Sequence, residues 1–145
     1  MKISTKGIYG LKAILDLATN SFNDVVTLKS ISERQHISEG YLEQIFSLLR
    51  KRELVKGRKG SQGGYTLVKE PKEITVGEIL RALEGELFQV DVPEEEKNSK
   101  IERCIEDRVW GNLRENINKV VDSITLEQLV EDYKKYNNEV TMYYI

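Results

Sequence analysis

The sequence predicts a mainly α-helical chain with one small β-hairpin, followed by a long helix. Three observations predict it. Apolar residues recur at three- and four-residue spacing in the first 51 residues. Two β-prone runs then flank a loop with four glycines, and a later segment keeps one apolar side for more than twenty residues. The 145 residues are 39% apolar and 32% charged, which suits one compact domain, or a small domain with an oligomerisation arm.

The first segment, Ser4–Asn20, is predicted to form a helix because its apolar side chains fall on one face. These side chains are Ile8, Leu11, Ile14, Leu15 and Ala18. Gly7 and Gly10 are poor helix formers, and we expect them to let another part of the chain approach closely.

Two short helices follow, separated by a tight turn. Thr27 and Ser38 are placed as their N-caps. The first helix should span Leu28–Gln35 and bury Ile31, and the second should span about Glu39–Lys51. The second repeats apolar residues at three and four: Leu42, Ile45, Leu48 and Leu49. Two helices joined so briefly form a helix-turn-helix.

The next elements predict a hairpin and another helix. Two β-prone runs, Leu54–Lys56 and Tyr65–Val68, flank the glycine-rich loop 57–64. A hairpin directly after a helix-turn-helix is a wing. The stretch Thr75-Val76-Gly77-Glu78 has capping-box spacing and should open a helix that runs to about Glu84.

Residues 101–124 are predicted to form one helix of roughly 36 Å. No other part of so short a chain is large enough to cover its apolar side, so we expect it to pack against its copy in a homodimer. The expected contacts are Ile101, Ile105, Val109, Leu113, Ile117 and Val121. Capping-box spacing at Thr125 predicts a last helix to about Tyr136. The predicted organisation is a winged helix-turn-helix over 1–85, a linker over 86–100, and a dimerisation helix with a C-terminal helix and tail over 101–145.

Charge is divided between the two halves of the chain. Residues 1–72 hold 13 Lys or Arg against 7 Asp or Glu, whereas residues 73–145 hold 9 against 17. A basic half is expected where a protein meets a polyanion, although chance and an acidic solvated helix face give the same distribution. Together with a wing and a helix-turn-helix, the basic half favours double-stranded DNA, and a dimer favours a palindromic operator.

The second helix of a helix-turn-helix enters the major groove with its N-terminal end and exposed face. Here the outward residues should be Ser38, Glu39, Gly40, Tyr41, Glu43, Gln44 and Ser47. Gln44 can pair with adenine, and Glu43 can accept a hydrogen bond from cytosine. Ser38 and Tyr41 can reach phosphate or a thymine methyl group. For Glu43 the alternative is a carboxylate that faces solvent or pairs with Arg50 or Lys51.

Phosphate contacts are expected from basic residues around the helix-turn-helix and the wing: Lys6, Arg50, Lys51, Arg52, Arg58 and Lys59. Arg58 and Lys59 lie at the hairpin tip, which suits the narrow, electronegative minor groove. For any one of them alone an ordinary surface residue is the better interpretation, so the prediction rests on their clustering.

No catalytic or metal site is predicted. His36, the single histidine, lacks neighbours at ligand spacing and is interpreted as a turn residue. The glycine loop lacks the Gly-Lys-Ser/Thr ending of a phosphate-binding loop. No apolar run approaches the ~18 residues of a membrane span, and residues 1–10 lack the pattern of a signal peptide. Because the one cysteine, Cys104, cannot form a disulfide within the chain, we expect a cytoplasmic protein. Because no catalytic arrangement is legible in the sequence, we expect it not to be an enzyme.

The chain resembles a known family over nearly its whole length and strongly in its first 85 residues, where four stretches carry the resemblance: Met1–Gly10, Ile37–Phe46, Gly60–Tyr65 and Val76–Ile79. They resemble the bacterial winged-helix repressor family that includes the iron–sulfur regulator IscR, the nitric-oxide sensor NsrR and the cysteine-metabolism repressor CymR. The resemblance implies a homodimer joined through the long helix, operator binding by Ser38, Tyr41, Glu43 and Gln44, and wing insertion by Arg58 or Lys59.

The chain departs from this family at its cysteines. Members that bind a cluster use three cysteines before and at the start of the long helix. Here Cys104 stands where the last would be, residues 88–103 contain no cysteine, and Asp107 stands where some members have a histidine. One thiolate and one carboxylate cannot replace three thiolates, so we predict no iron–sulfur cluster and no other cofactor.

Without a cluster, the chain most resembles the cysteine-metabolism repressor branch, including residues 123–127 and Tyr143-Tyr144-Ile145. That branch responds to sulfur supply through cysteine synthase, whose active site accepts partner C-termini ending in Ile. The resemblance implies that Tyr144 and Ile145 dock on this enzyme. The alternative is that Met142–Ile145 packs on the dimer surface.

The sequence therefore predicts a repressor of cysteine or sulfur metabolism genes, with two alternatives. The first is a sensor of redox or nitrosative stress that acts through a small ligand or through Cys104, whose place near a helix N-terminus favours a thiolate. A buried structural cysteine is the simpler interpretation of that residue. The second is a winged helix that binds protein instead of DNA.

Overall fold

The structure, a computed structural model, describes residues 1–21, 24–60 and 63–143, with the backbone alone for 139–143. The helices are α1 (Thr5–Asn20), α2 (Leu28–Gln35), α3 (Glu39–Lys51), α4 (Val76–Glu84), α5 (Lys100–Ile105), α6 (Gly111–Ser123) and α7 (Leu126–Tyr143). The strands β1 (Val55–Arg58) and β2 (Gly64–Leu67) form an antiparallel hairpin. This confirms the predicted class, mainly α with a hairpin wing. Among the described residues no helix has both the length and the apolar character needed to cross a bilayer.

The helix starts lie where the sequence predicts them. The N-caps Thr27, Ser38 and Thr75 each accept a hydrogen bond from the backbone N–H three residues on, at 3.1 to 3.2 Å. Between α2 and α3, His36 is in the left-handed region with φ 56°, and its N–H donates to the carbonyl of Ser32 at 2.8 Å. His36 is therefore a turn residue, as expected.

Helix α1 buries a face that overlaps the predicted one only in part. Ile14 is buried, but Ile8 is 47% exposed, and Leu11, Leu15 and Ala18 are only half-buried. The buried side instead carries Gly7, Gly10, Ala13, Ile14 and Leu17. The reason is helix α4, which packs so closely that a side chain at Gly10 would overlap Leu83. The expectation that the two glycines permit a close approach is thus confirmed.

The remaining core lies beneath α3. Leu42, Ile45 and Leu49 are fully buried as predicted, whereas Leu48 is half-buried. Phe46 is fully buried as well, and its ring lies 4.8 Å from that of Tyr65 on β2. This contact fixes the wing against α3.

A third backbone segment extends the wing. Val26, before α2, pairs with Tyr65 through two hydrogen bonds of 2.8 and 2.9 Å. A Cβ atom at Gly64 would lie 2.6 Å from the carbonyl oxygen of Val26. A glycine at position 64 therefore lets the two backbones approach.

The predicted long helix is present as α5 and α6, joined by a π-helical stretch over Glu106–Trp110. Helix α7 is longer than predicted and extends to Tyr143. It begins beside the winged helix-turn-helix of residues 1–85, called the reading domain below: the N–H of Leu126 donates to the carbonyl of Ile74 at 2.8 Å. Leu126 is fully buried in the same core as α1 to α4. The domain limits at residues 85 and 100 stay a prediction, and this contact links the segments on either side of them.

Candidate nucleic-acid interface

The start of α1 is held next to α4 by a single carboxylate. Oε1 of Glu84 accepts hydrogen bonds from the N–H groups of Ser4 and Gly7, both at 3.0 Å, and from the Ser4 hydroxyl at 2.5 Å. Free N–H groups at a helix start attract negative charge. The side chain of Ser4, the N-cap residue of α1, does not cap the helix, and Glu84 caps it instead.

The start of α1 also contacts the start of α3. The hydroxyl groups of Thr5 and Tyr41 lie 3.0 Å apart, and the Tyr41 ring meets the Tyr9 ring edge-on at 6.0 Å. Lys6, the residue after Thr5, is exposed. The structure therefore brings Lys6 and Tyr41, two predicted DNA contacts, to the same end of the reading domain.

Helix α3 presents a polar face opposite its buried one. Ser38, Glu39, Gly40, Glu43 and Gln44 are exposed. Tyr41 and Ser47 are half-buried. The Ser38 hydroxyl oxygen already accepts from the Tyr41 N–H, but its own hydrogen remains able to donate to phosphate. This arrangement places the predicted base-reading side chains on one accessible surface.

Glu43 forms no ion pair with Arg50 or Lys51 among the described residues. Of the two alternatives to a base contact, the ion pair is absent from the described part of the chain, whereas a carboxylate that faces solvent is what the structure shows. Contact of Glu43 with a base stays a prediction.

The predicted phosphate contacts of α3 and the wing are exposed. Arg50, Lys51 and Arg52 are exposed at the end of α3, and Arg58 and Lys59 are exposed at the end of β1. A guanidinium nitrogen of Arg58 lies 3.3 Å from the carboxylate of Asp24, with both side chains largely exposed. Exposed pairs of this kind contribute little, so Arg58 is free to exchange Asp24 for a phosphate.

A buried ion pair fixes α2 against α1. The Asp16 side chain is only 1% exposed. It accepts two short hydrogen bonds from Arg34, at 2.8 and 2.9 Å, and one from Gln35 at 2.8 Å. The hydrogen bond to Asp16 raises the pKa of Arg34 against the opposing effect of desolvation. This pair sets the position of the first helix of the helix-turn-helix.

A second ion pair connects α4 to α6. Arg81 donates to both carboxylate oxygens of Asp122, at 2.8 and 2.9 Å, and to the side-chain oxygen of Asn118 at 2.8 Å. The hydrogen bond from Arg81 lowers the pKa of Asp122, and that bond also raises the pKa of Arg81. The reading domain is thus joined to the long helix by a bidentate contact.

The long helix leaves apolar side chains uncovered in the single chain. Ile101 is 70% exposed, and Val109 and Leu113 are also exposed, while Ile105, Ile117 and Val121 are half-buried. Cys104 is exposed on the same helix. A buried structural cysteine was the simpler expectation, and it is wrong for the single chain, because none of the described segments covers the Cys104 side chain.

The donor set does not fit an iron–sulfur cluster. Cys104 is the single cysteine of the sequence. Among the described residues no three His, Cys, Asp or Glu side chains are grouped to hold a metal ion. A cluster is normally held by several thiolates, so Cys104 with Asp107 is too small a ligand set.

Sequence reasoning missed the contacts that join distant parts of the chain. The sequence patterns assigned no contact to Asp16, Arg81, Glu84, Asp122 or Val26. The one signal for Asp16 was its place among the apolar residues of α1. The predicted docking residues Tyr144 and Ile145 lie outside the described part of the chain.

Comparisons with known proteins agree with this geometry. The profile of the Rrf2 family, described as "Iron-dependent Transcriptional regulator", matches residues 3–132. The HTH-type transcriptional regulator CymR of Bacillus subtilis is 43% identical over 145 residues, which is all of both chains. The HTH-type transcriptional regulator IscR of Serratia proteamaculans is 39% identical over 132 residues, 91% of this chain and 80% of that one.

A solved structure has the same fold. The structure titled as CymR, "the Global Cysteine Regulator of B. subtilis", superposes with a TM-score of 0.77 at 41% identity. The match covers 90% of this chain and 97% of the other. The resemblance inferred from the four sequence stretches is therefore confirmed.

Proposed function

The chain belongs to the Rrf2 family of DNA-binding transcriptional regulators, and we propose that it is a homodimeric repressor of cysteine or sulfur metabolism genes that needs no iron–sulfur cluster. The observation that carries the proposal is the exposed polar face of α3, set on a fully buried apolar face and flanked by a basic wing. This is the arrangement by which a recognition helix enters a major groove. The protein acts by binding rather than by catalysis.

In this proposal the DNA contacts have separate roles. Gln44 and Glu43 read base edges, because amide and carboxylate groups pair with adenine and cytosine in the major groove. Ser38, Gly40 and Tyr41 at the helix start approach the backbone. Five basic side chains neutralise DNA phosphates: Lys6, Arg50, Lys51, Arg58 and Lys59.

The long helix supplies the dimer. Ile101, Val109 and Leu113 expose apolar surface along α5 and α6, and burying such surface favours association. A two-fold partner covers this side with the same side of its own helix. Two reading domains then face two half-sites, which is why a palindromic operator is proposed.

The regulon is inferred from similarity over the full length. The B. subtilis relative, whose structure is titled a global cysteine regulator, matches this chain from end to end. The single thiol argues against the iron dependence in the family's description. Protein purified without oxygen should therefore carry no stoichiometric iron or sulfide and no visible absorption, and a cluster signature would overturn the cluster-free proposal.

Footprinting on genomic DNA of the organism that encodes this chain tests which genes it regulates. We expect protected palindromes upstream of sulfur-metabolism genes, with protection that changes when cysteine synthase and O-acetylserine are added. A variant without Tyr144 and Ile145 should lose the response to cysteine synthase and keep its operator affinity. Protection confined to unrelated genes would contradict the regulon, and an unchanged response in the shortened variant would contradict docking by the C-terminus.

Redox sensing through Cys104 is the second candidate: the thiol is exposed in the single chain, and this mechanism requires that the dimer partner leave it open to solvent. Accessible thiols are the ones that oxidants reach. Treatment with hydrogen peroxide should then weaken operator binding by the native chain and leave Cys104→Ser unaffected. Equal responses of the two proteins would exclude this mechanism.

A further inference from the structure

An open pocket of about 570 Å³ lies between α1, α2 and α7. Volumes of this size accommodate small organic molecules. None of the proposed DNA contacts and none of the proposed dimer contacts lines it. The pocket is therefore separate from both surfaces that the proposed function uses.

The lining of the pocket is cationic. Lys12 of α1, Arg34 of α2 and Lys134 of α7 contribute three positive charges, against one carboxylate from Asp16. Asp16 and Arg34 pair with each other, so the excess positive charge of the lining comes from Lys12 and Lys134. Lys12 and Lys134 are both exposed, so they are able to turn toward a bound anion.

The pocket also offers apolar surface and neutral hydrogen-bonding groups. Leu15 and the ring of Tyr133 form part of its wall, and Thr19, Asn20 and Gln35 add polar atoms. A mixture of apolar wall, few polar groups and a local charge is typical of sites for small metabolites. The charge favours an anion, and the volume leaves room for a compound the size of an amino acid or a short dicarboxylic acid.

Two routes connect this pocket to the DNA-reading helix. The ammonium group of Lys12 lies 5.4 Å from the centre of the Tyr9 ring, and Tyr9 contacts Tyr41 at the start of α3. Arg34 and Gln35 belong to α2, which packs directly on α3. A ligand that moves Lys12 or Arg34 therefore acts on side chains that contact α3 or the helix packed against it.

We propose that this pocket is an effector site for a small carboxylate-bearing anion, and that its occupancy changes operator affinity. Ligand binding is inferred from the geometry of the pocket alone, whereas the effect on operator affinity rests on the proposed function. Because an effector shifts an equilibrium only by its different affinity for two states, the ligand must bind the free and the DNA-bound protein with different strength.

Succinate is the probe, and its uncharged isostere succinamide is the control ligand. Calorimetry with the full chain in the absence of DNA should detect succinate binding at concentrations up to about 10 mM, with a matching rise in Tm. Lys12→Gln and Lys134→Gln should each weaken the binding by about fivefold or more, since each removes a cation from the site. Lys135→Gln is the matched control, because Lys135 neighbours Lys134 on α7 but does not line the pocket.

The results separate the two claims. Three results would contradict a ligand site in the pocket: no binding of succinate, succinamide binding as tightly as succinate, or a loss of succinate affinity in Lys135→Gln equal to that in Lys12→Gln and Lys134→Gln. Operator affinity measured with succinate against sodium chloride of equal ionic strength should change in the native chain and not in Lys12→Gln. Binding of succinate with unchanged operator affinity would overturn the coupling, and a chain that binds succinate but no DNA would contradict the proposed function alone.

Discussion

The hydroxyl group of Tyr41, at the start of the recognition helix, lies 3.0 Å from the hydroxyl group of Thr5, 36 residues earlier in the chain. This contact joins the first turn of α1 to the first turn of α3. Tyr41 therefore has two roles that mutation can separate: its hydroxyl contacts Thr5, and the same hydroxyl is proposed to reach a DNA phosphate.

Tyr41→Phe should keep the ring contact with Tyr9 and remove the hydroxyl. Because the hydrogen bond is exposed, the free energy of unfolding should fall by less than about 1 kcal/mol. Operator affinity should fall by about fivefold as a phosphate contact is lost. Chemical denaturation and fluorescence anisotropy measure the two effects. Thr5→Val is the control, since it removes the partner and leaves the Tyr41 hydroxyl; an equal loss of affinity there would mean that Tyr41 acts only by position.

Asp16→Asn should destabilise the protein by about 2 kcal/mol. It leaves Arg34 without its carboxylate, and breaking a buried pair by removing one partner is costly. The effect stays below that of a fully buried pair because the Arg34 side chain is 39% exposed. Asp24→Asn, which breaks the exposed pair with Arg58, should cost less than about 0.5 kcal/mol. Similar losses of unfolding free energy for the two variants would contradict the importance of burial.

The Arg81–Asp122 contact predicts a pH dependence. Arg81 lowers the pKa of Asp122 below its ordinary value of 3.8. The contribution to stability is therefore complete above the unfolded-state pKa and is lost as pH falls through the lower folded-state pKa. The stability difference between the native chain and Asp122→Asn should be constant above about pH 5 and shrink below about pH 4. A difference that stays constant down to about pH 2 would show that Asp122 stabilises the fold without its charge.

Leu113→Asp should abolish the dimer. Leu113 is 43% exposed in the single chain, and a carboxylate in an apolar interface is strongly unfavourable. Sedimentation velocity should show a monomer that keeps its helical circular dichroism. Val68→Asp is the control, because Val68 is 44% exposed and lies beyond the wing strand β2. A dimer that survives Leu113→Asp would place the interface elsewhere.

The sequence predicted local structure better than long-range contacts. Helix α3 was located correctly because its N-cap Ser38 and its buried residues Leu42, Ile45 and Leu49 are encoded within thirteen residues. The exposure of Ile8 was missed because the orientation of α1 depends on α4, about seventy residues later. In the candidate site, the polar face of α3 was predictable from its periodicity.

The supports of that site were less predictable. Glu84 caps α1 and Val26 extends the wing through contacts that no local pattern encodes. The pocket beneath α7 was not predicted either, because the packing of Tyr133 and Lys134 near α1 depends on the tertiary fold.

Selection of bound duplexes from a random library, followed by affinity measurements on Gln44→Ala, tests the central claim most directly. The account predicts an enriched palindrome whose binding weakens steeply with salt, because basic side chains of the reading domain neutralise phosphates. Gln44→Ala should weaken binding to that palindrome by about tenfold or more and leave non-specific binding unchanged, since one bidentate base contact is worth about 1–3 kcal/mol. Failure to enrich any palindrome, or equal affinity of the native chain and Gln44→Ala for it, would contradict DNA reading by α3.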